Sequence, residues 1–206
     1  MAPIRVHFED ATLLVVEKPA GLLSVPGRLP EHRDCVITRL QRQYPDALTV
    51  HRLDQVTSGL MVFARDSKTH RELSDAFAAR HIDKTYEAWV EGIVEGEGGR
   101  IDLPLICDWP NRPRQVVDHA IGKPALTEWR VIERDRGNNR TRVVLHPLTG
   151  RSHQLRVHMA SLGHPITGDA FYGAAPTERV CLHASALGFA HPLTGERLET
   201  RSPAPF

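Results

Sequence analysis

The apolar residues of this chain come in short bursts, and that feature narrows the fold more than any other. The longest bursts, around residues 12–16 and 60–64, are strand-sized. Neither can span a bilayer, which needs about 20 consecutive apolar residues in a helix. Elsewhere Tyr86, Ala88 and Val90 alternate with Glu87, Trp89 and Glu91, and alternation returns at Ala125, Thr127, Trp129 and Val131 and through residues 142–145. A period of two marks a strand with one buried face. Residues 4–8 and 13–16 read as a hairpin turning at Glu9-Asp10, and 181–190 with 198–201 as another around Pro192-Leu193-Thr194-Gly195.

Helices are fewer. Asp34 is placed to cap a short helix with Val36, Ile37, Leu40 and Tyr44 on one side, stopped by Pro45. Ser67 is placed to cap a second, with Leu73, Ala76, Phe77 and Arg80 at helical spacing. Residues 152–162 form the third, ended by Gly163 with Pro165 beyond. Strands outnumber helices and the connections suit hairpins, so the fold class is α+β with a long, mainly antiparallel (mixed) sheet. The chain has 206 residues, which suits a single domain of two packed lobes, with the Gly- and Glu-rich residues 95–99 as the crossing.

Several classes fall away. The start, MAPIRVHFED, is charged where a secretory signal needs an apolar core. Cys35, Cys107 and Cys181 are widely spaced and odd in number, which suits buried thiols in a reducing cytoplasm better than disulfides. No GxxxxGK[ST], GxGxxG or GxSxG occurs, and His153 and His158 are not at the i, i+4 spacing of a zincin, so neither cofactor nor metal is expected.

Charge needs more care. The total, 26 Lys and Arg against 25 Asp and Glu, is +1, but with four lysines the arginines number 26 − 4 = 22. Between residues 128 and 156 seven arginines face Glu128, Glu133 and Asp135, or 7 − 3 = +4. Arginine excess suits phosphate recognition, though codon usage produces it equally well.

Three segments carry candidate chemistry. In residues 51–66, HRLDQVTSGLMVFARD, Asp54 stands just before an apolar strand, with Arg52 on the same side of an extended chain. Spacing leaves Asp54 open between a rigidly held catalytic carboxylate and a turn residue satisfied by the Thr57 and Ser58 amides. In residues 150–165, GRSHQLRVHMASLGHP, Leu155, Met159 and Leu162 form an apolar stripe, with His153, Arg156 and Ala160 on another face. Arg156 there is either a surface arginine or a fork for a carboxylate. In KTYEAWVEG, residues 84–92, Tyr86 is either a core residue or a cleft residue able to pack on a base or move a proton.

Together with EKPAGLLSVPGR, GKPALTEW, HPITGDAFYG and LHASALGFAHPLTGE, these segments resemble, in order and over essentially the whole chain, the RluA family of RNA pseudouridine synthases. The resemblance implies the pseudouridine synthase fold, a long mixed sheet around a cleft, working without cofactor or metal. It implies that Asp54 is the catalytic aspartate, Tyr86 the active-site tyrosine, Arg156 the basic residue that pairs with the aspartate, and Arg52 the arginine that fills the space left by a flipped uridine. The implied partner is RNA: a tRNA anticodon stem-loop, modified at U32, and a 23S rRNA hairpin, modified at U746. A cytoplasmic monomer without an N-terminal S4 domain is expected. A non-catalytic RNA-binding module and a base-excising glycosylase or ribonuclease are the alternatives.

Overall fold

A computed structural model describes residues 3–206. In chain order the elements are β1 (Arg5–Glu9), β2 (Leu13–Lys18), α1 (Val36–Leu40), β3 (Leu48–Thr49), β4 (Ser58–Ala64) and α2 (Ser67–Ala78). Then come β5 (Asp83–Glu91), β6 (Gly98–Asp102), β7 (Leu105–Cys107), β8 (Gln115–Val117), β9 (Leu126–Asp135) and β10 (Arg140–Pro147). Last are α3 (Gln154–Ser161), β11 (Leu182–Ala190) and β12 (Arg197–Arg201). The chain divides into two compact units, one up to Lys84 plus His183–Pro205, the other Thr85–Leu182 with Phe206.

In the first unit the strand order is β1-β2-β4-β11, with β3 beside β4 and β12 beside β11. The β1–β2 hairpin turns on Asp10, whose carboxylate accepts the N–H groups of Thr12 and Leu13 and the Thr12 hydroxyl. All pairings are antiparallel except β4 with β11, where Ser58 and Gly59 lie beside His183 and Ala184. A Cβ on Gly59 would meet the Ala184 carbonyl oxygen at 2.3 Å, and its φ is +117°, so this close approach requires glycine. Ser58 and Gly59 therefore begin a strand rather than close a turn. All seven residues of β4 are buried, as befits a central strand, and Leu60, Val62 and Ala64 share a core with Leu73 of α2.

Both helix starts in this unit differ by one residue from the sequence expectation. Asp66, not Ser67, caps α2, accepting the Thr69 N–H at 2.8 Å. Cys35, not Asp34, caps α1, and its N–H donates to the Thr38 hydroxyl. Asp34 turns instead to the Arg39 guanidinium, a stronger, charge-assisted partner.

In the second unit β5-β10-β9-β6 form an antiparallel run, and β7 pairs β8 in a separate two-stranded sheet. The alternation read from the sequence is literal in β10, where Thr141, Val143, Leu145 and Pro147 are buried and their neighbours are not. Residues 95–99 are not the crossing. They lie inside this unit and are tied down, with the Glu97 carbonyl accepting the Val131 N–H and the Gly96 carbonyl accepting from Arg134. The chain changes unit instead within β5 and again at the start of β11, so regular strands do what a Gly-rich loop suggested. Among the described residues no helix is long and apolar enough to cross a membrane.

Candidate active site

The Asp54 segment belongs to the first unit and has no regular structure of its own, yet its backbone is bonded at almost every step. Gln55 accepts the Gly21 N–H on its carbonyl at 2.8 Å and donates its side-chain amide back to the Gly21 carbonyl at 3.0 Å. Leu53 does the same with Ser24, its carbonyl accepting the hydroxyl at 2.8 Å and its N–H donating to it at 3.1 Å. On one side of this frame, His51 accepts the Val62 N–H from β4 at 3.0 Å and stacks on Phe77. Burial, reinforced by the Lys84 cation, pushes His51 down to about 3, so its ring is neutral and serves as an acceptor, not as an acid.

Lys18 completes the frame. It is the last residue of β2 and fully buried, and its ammonium donates to the carbonyls of Pro19 (2.9 Å), Leu22 (2.6 Å) and Gln55 (2.9 Å). A buried cation is tolerated only when such acceptors replace water. Here they come from both sides of the loop pair, so the charge binds residues 19–22 to residue 55. The sequence showed only a Lys-Pro-Ala-Gly strand ending. The available signal was a lysine two positions after Val16, on the strand face that the apolar run of β2 buries.

In this setting Asp54 is half-buried while Leu53 is buried and Arg52 is exposed, the alternation expected of an extended chain. The Thr57 N–H donates to the backbone carbonyl of Asp54 at 3.1 Å. The local turn is thus closed by main chain, and the Thr57 amide is not satisfied by the Asp54 carboxylate.

The second unit carries the other two candidates. Tyr86 is half-buried near the start of β5, opposite Leu145 of β10. Arg156 is the third residue of α3 and is 5% exposed. It forks onto Asp169 with two charge-assisted bonds, from Nε at 2.6 Å and Nη2 at 2.8 Å. The Tyr172 ring centre lies 4.9 Å from its guanidinium carbon and that of Phe171 5.8 Å. The Tyr172 hydroxyl in turn bonds His153 Nδ1 at 2.7 Å and accepts the Gln115 N–H at 2.9 Å. Arg156 is therefore no surface arginine. Asp169, its partner here, was visible in the sequence only as part of GDAFYG, thirteen residues away on an irregular loop.

The expected amphipathic α3 is corrected on the same ground. Gln154, Arg156 and His158 are all buried beside the apolar residues. Each is satisfied from another element: Gln154 by Thr149 and Leu126, Arg156 by Asp169, and His158 by Thr127 and the Leu103 carbonyl. The local +4 is corrected as well. Arg134 pairs with Glu97 at 2.9 Å and Arg142 with Glu87 at 2.6 Å, acids outside the counted stretch, while Arg140 pairs with Asp135. Charge counted along the chain misses partners that a sheet brings across it.

The family model for RNA pseudouridylate synthases matches residues 12–161. The chain is 52% identical over 205 residues, 98% of its length and 93% of the relative's, to the dual-specificity RNA pseudouridine synthase RluA of Escherichia coli strain K12. It is 55% identical over 195 residues to the protein so named in Vibrio vulnificus, covering 91% of this chain and 78% of that one. Among solved structures, human RNA pseudouridylate synthase domain containing 1 is similar with a TM-score of 0.82 and 28% identity, over 100% of this chain and 87% of that one.

Proposed function

The chain belongs to the RNA pseudouridylate synthase family, and from that premise we propose that it isomerises uridine to pseudouridine in two RNAs, a tRNA anticodon stem-loop at U32 and a 23S rRNA hairpin at U746, with Asp54 as the catalytic carboxylate. The observation that carries the assignment is the pinning of Leu53 and Gln55, on either side of Asp54, by Lys18, Gly21 and Ser24. A reaction that detaches and reattaches a base requires a carboxylate that does not wander.

The chemistry is an isomerisation. The bond from ribose C1′ to uracil N1 breaks, the base turns, and C1′ bonds C5; C5 gives up its proton and N1 ends protonated. Asp54 serves by attacking the ribose, by attacking the uracil, or by removing the ribose 2′ proton, and each route starts from its ionised form. In this reading Arg156 is the basic residue that supports the catalytic aspartate. Asp169, Tyr172 and Phe171 fix the direction of that guanidinium, because a two-point fork on one edge leaves it no freedom to rotate. Tyr86 packs on the base and assists removal of the C5 proton. Arg52, exposed beside Asp54, takes the place of the flipped uridine, offsetting part of an unstacking cost of about a few kcal/mol. The enzyme acts in the cytoplasm as a monomer and needs no cofactor or metal.

The test is incubation of the protein with each RNA labelled in uridine, in EDTA and without added cofactor. Pseudouridine in both RNAs is expected. Free uracil would instead make the protein a glycosylase, a cut strand would make it a nuclease, and product in one RNA alone would overturn the dual assignment.

A further inference from the structure

We propose that the turn between β7 and β8 is a second RNA-contact surface, on which the Trp109 indole stacks an unpaired nucleobase while Arg112 and Arg114 meet the neighbouring phosphates. This rests on RNA being the substrate and extends the RNA contacts to residues beyond those assigned above.

Trp109 is 65% exposed, whereas Trp89 is buried under β-sheet neighbours. Indoles left in water call for a partner, since tryptophan is among the residues that gain most from burial. Its exposure is not the looseness of a loop tip. The Asp108 N–H donates to the Arg114 carbonyl at 2.9 Å, the Asn111 N–H to the Asp108 carbonyl at 3.0 Å, and the Arg114 N–H to the Asn111 carbonyl at 3.0 Å. The Asn111 side chain adds a bond to the Asp108 carboxylate. At its end the turn is tied through the Gln115 N–H to the Tyr172 hydroxyl, on the ring that lies against Arg156. The backbone that carries the indole is thus already ordered, and little main-chain freedom is lost when something lands on it.

The surroundings favour a nucleic acid over a protein. The Arg112 guanidinium carbon sits 4.4 Å from the centre of the Trp109 ring. That stacking uses the flat face of the guanidinium and leaves its N–H groups pointing outward in their own plane, the geometry that forks onto phosphate. From residue 109 to 123 the charges are Arg112, Arg114 and Lys123 against Asp118, or 3 − 1 = +2, and all three cations are exposed. The acids nearby are engaged by local bonds: Asp118 accepts the Ala120 and Ile121 N–H groups, and Asp108 accepts from the Asn111 side chain. An aromatic face flanked by guanidinium is the platform on which single-stranded bases stack whatever their identity. Its role is to add affinity for splayed loop nucleotides without choosing the target uridine.

The experiment compares the full-length protein with Trp109→Ala, Trp109→Phe and Arg112→Gln, using the anticodon stem-loop and reading Kd as a function of salt together with kcat and KM. Trp109→Ala is expected to weaken binding about tenfold, with the loss in KM, and Trp109→Phe to recover most of it. Arg112→Gln is expected to lower the salt slope by about one. Conversion by the wild type tests the reading on which this surface rests. A converting wild type whose Trp109→Ala variant keeps a native circular dichroism spectrum and binds the stem-loop equally tightly overturns the surface, and leaves the indole as a contact for a protein.

Discussion

Arg156 and Asp169 form a two-point ion pair, 2.6 and 2.8 Å, between a guanidinium 5% exposed and a carboxylate 1% exposed. Removing the Asp169 carboxylate takes the two-point partner from a buried guanidinium, and breaking such a pair typically costs about 3–5 kcal/mol. Asp169→Ala should therefore lose about that much stability in urea unfolding and lose turnover with it. A loss below about 1 kcal/mol would show that the pair is not what holds Arg156.

Lys18 should behave as a positioning residue for Asp54. Lys18→Met keeps the apolar stem but strips the ammonium from the carbonyls of Pro19, Leu22 and Gln55. Each of these carbonyls loses a bond from a charged donor, worth about 1.5–3 kcal/mol. A shift of about 1 Å in the catalytic carboxylate costs about a hundredfold in rate. We expect kcat to fall by about that factor while KM for the stem-loop changes little. Equal losses in both would point to general unfolding instead.

The neutral His51 makes stability depend on pH. Burial first, and the Lys84 cation second, hold its folded pKa at about 3, below the ordinary 6.5. Between those values the unfolded chain binds a proton that the folded chain refuses. The stabilising contribution is therefore complete above pH 6.5 and is lost as pH falls toward 3. The slope approaches one proton, about 1.4 kcal/mol per pH unit. His51→Gln, which retains an acceptor for the Val62 N–H, should flatten that part of the curve measured by urea unfolding from pH 7 to pH 4. An unchanged slope would place the proton uptake elsewhere.

How much of this was legible in the sequence depends on the range of each interaction. The strands were, because alternation is local: β10 buries Val143 and Leu145, and β9 buries Thr127 and Val131 while Trp129 between them is half-buried. Asp54, Arg52, Tyr86 and Arg156 were singled out by residue type and by the resemblance of their motifs, not by any rule of spacing. What holds them was not legible. Lys18 and Gln55 are 37 positions apart, Leu53 and Ser24 are 29 apart, and Arg156 reaches Asp169 across a loop. The helix caps differ by one residue because Asp66 and Ser67 are adjacent residues that can both cap, while Asp34 is diverted by Arg39, whose position the sequence does not show.

Arg52 should matter in proportion to the structure of the substrate. Arg52→Ala removes the group assigned to the space left by the flipped uridine, and unstacking costs most in an ordered loop. Single-turnover rates on folded stem-loops should fall about tenfold or more, and rates on an unstructured strand carrying the same uridine far less. Equal rates for variant and wild type on the folded hairpin would remove Arg52 from that role.

In the proposed reaction the Asp54 carboxylate performs the chemistry. Asp54→Asn is nearly isosteric, leaves the ties of Gln55 and Leu53 in place, and removes the charge. Single-turnover conversion of the anticodon stem-loop, measured beside its Kd, decides the matter. No detectable pseudouridine is expected, with a Kd within about threefold of wild type, a change under about 1 kcal/mol. Product formed at a rate near wild type would contradict this assignment.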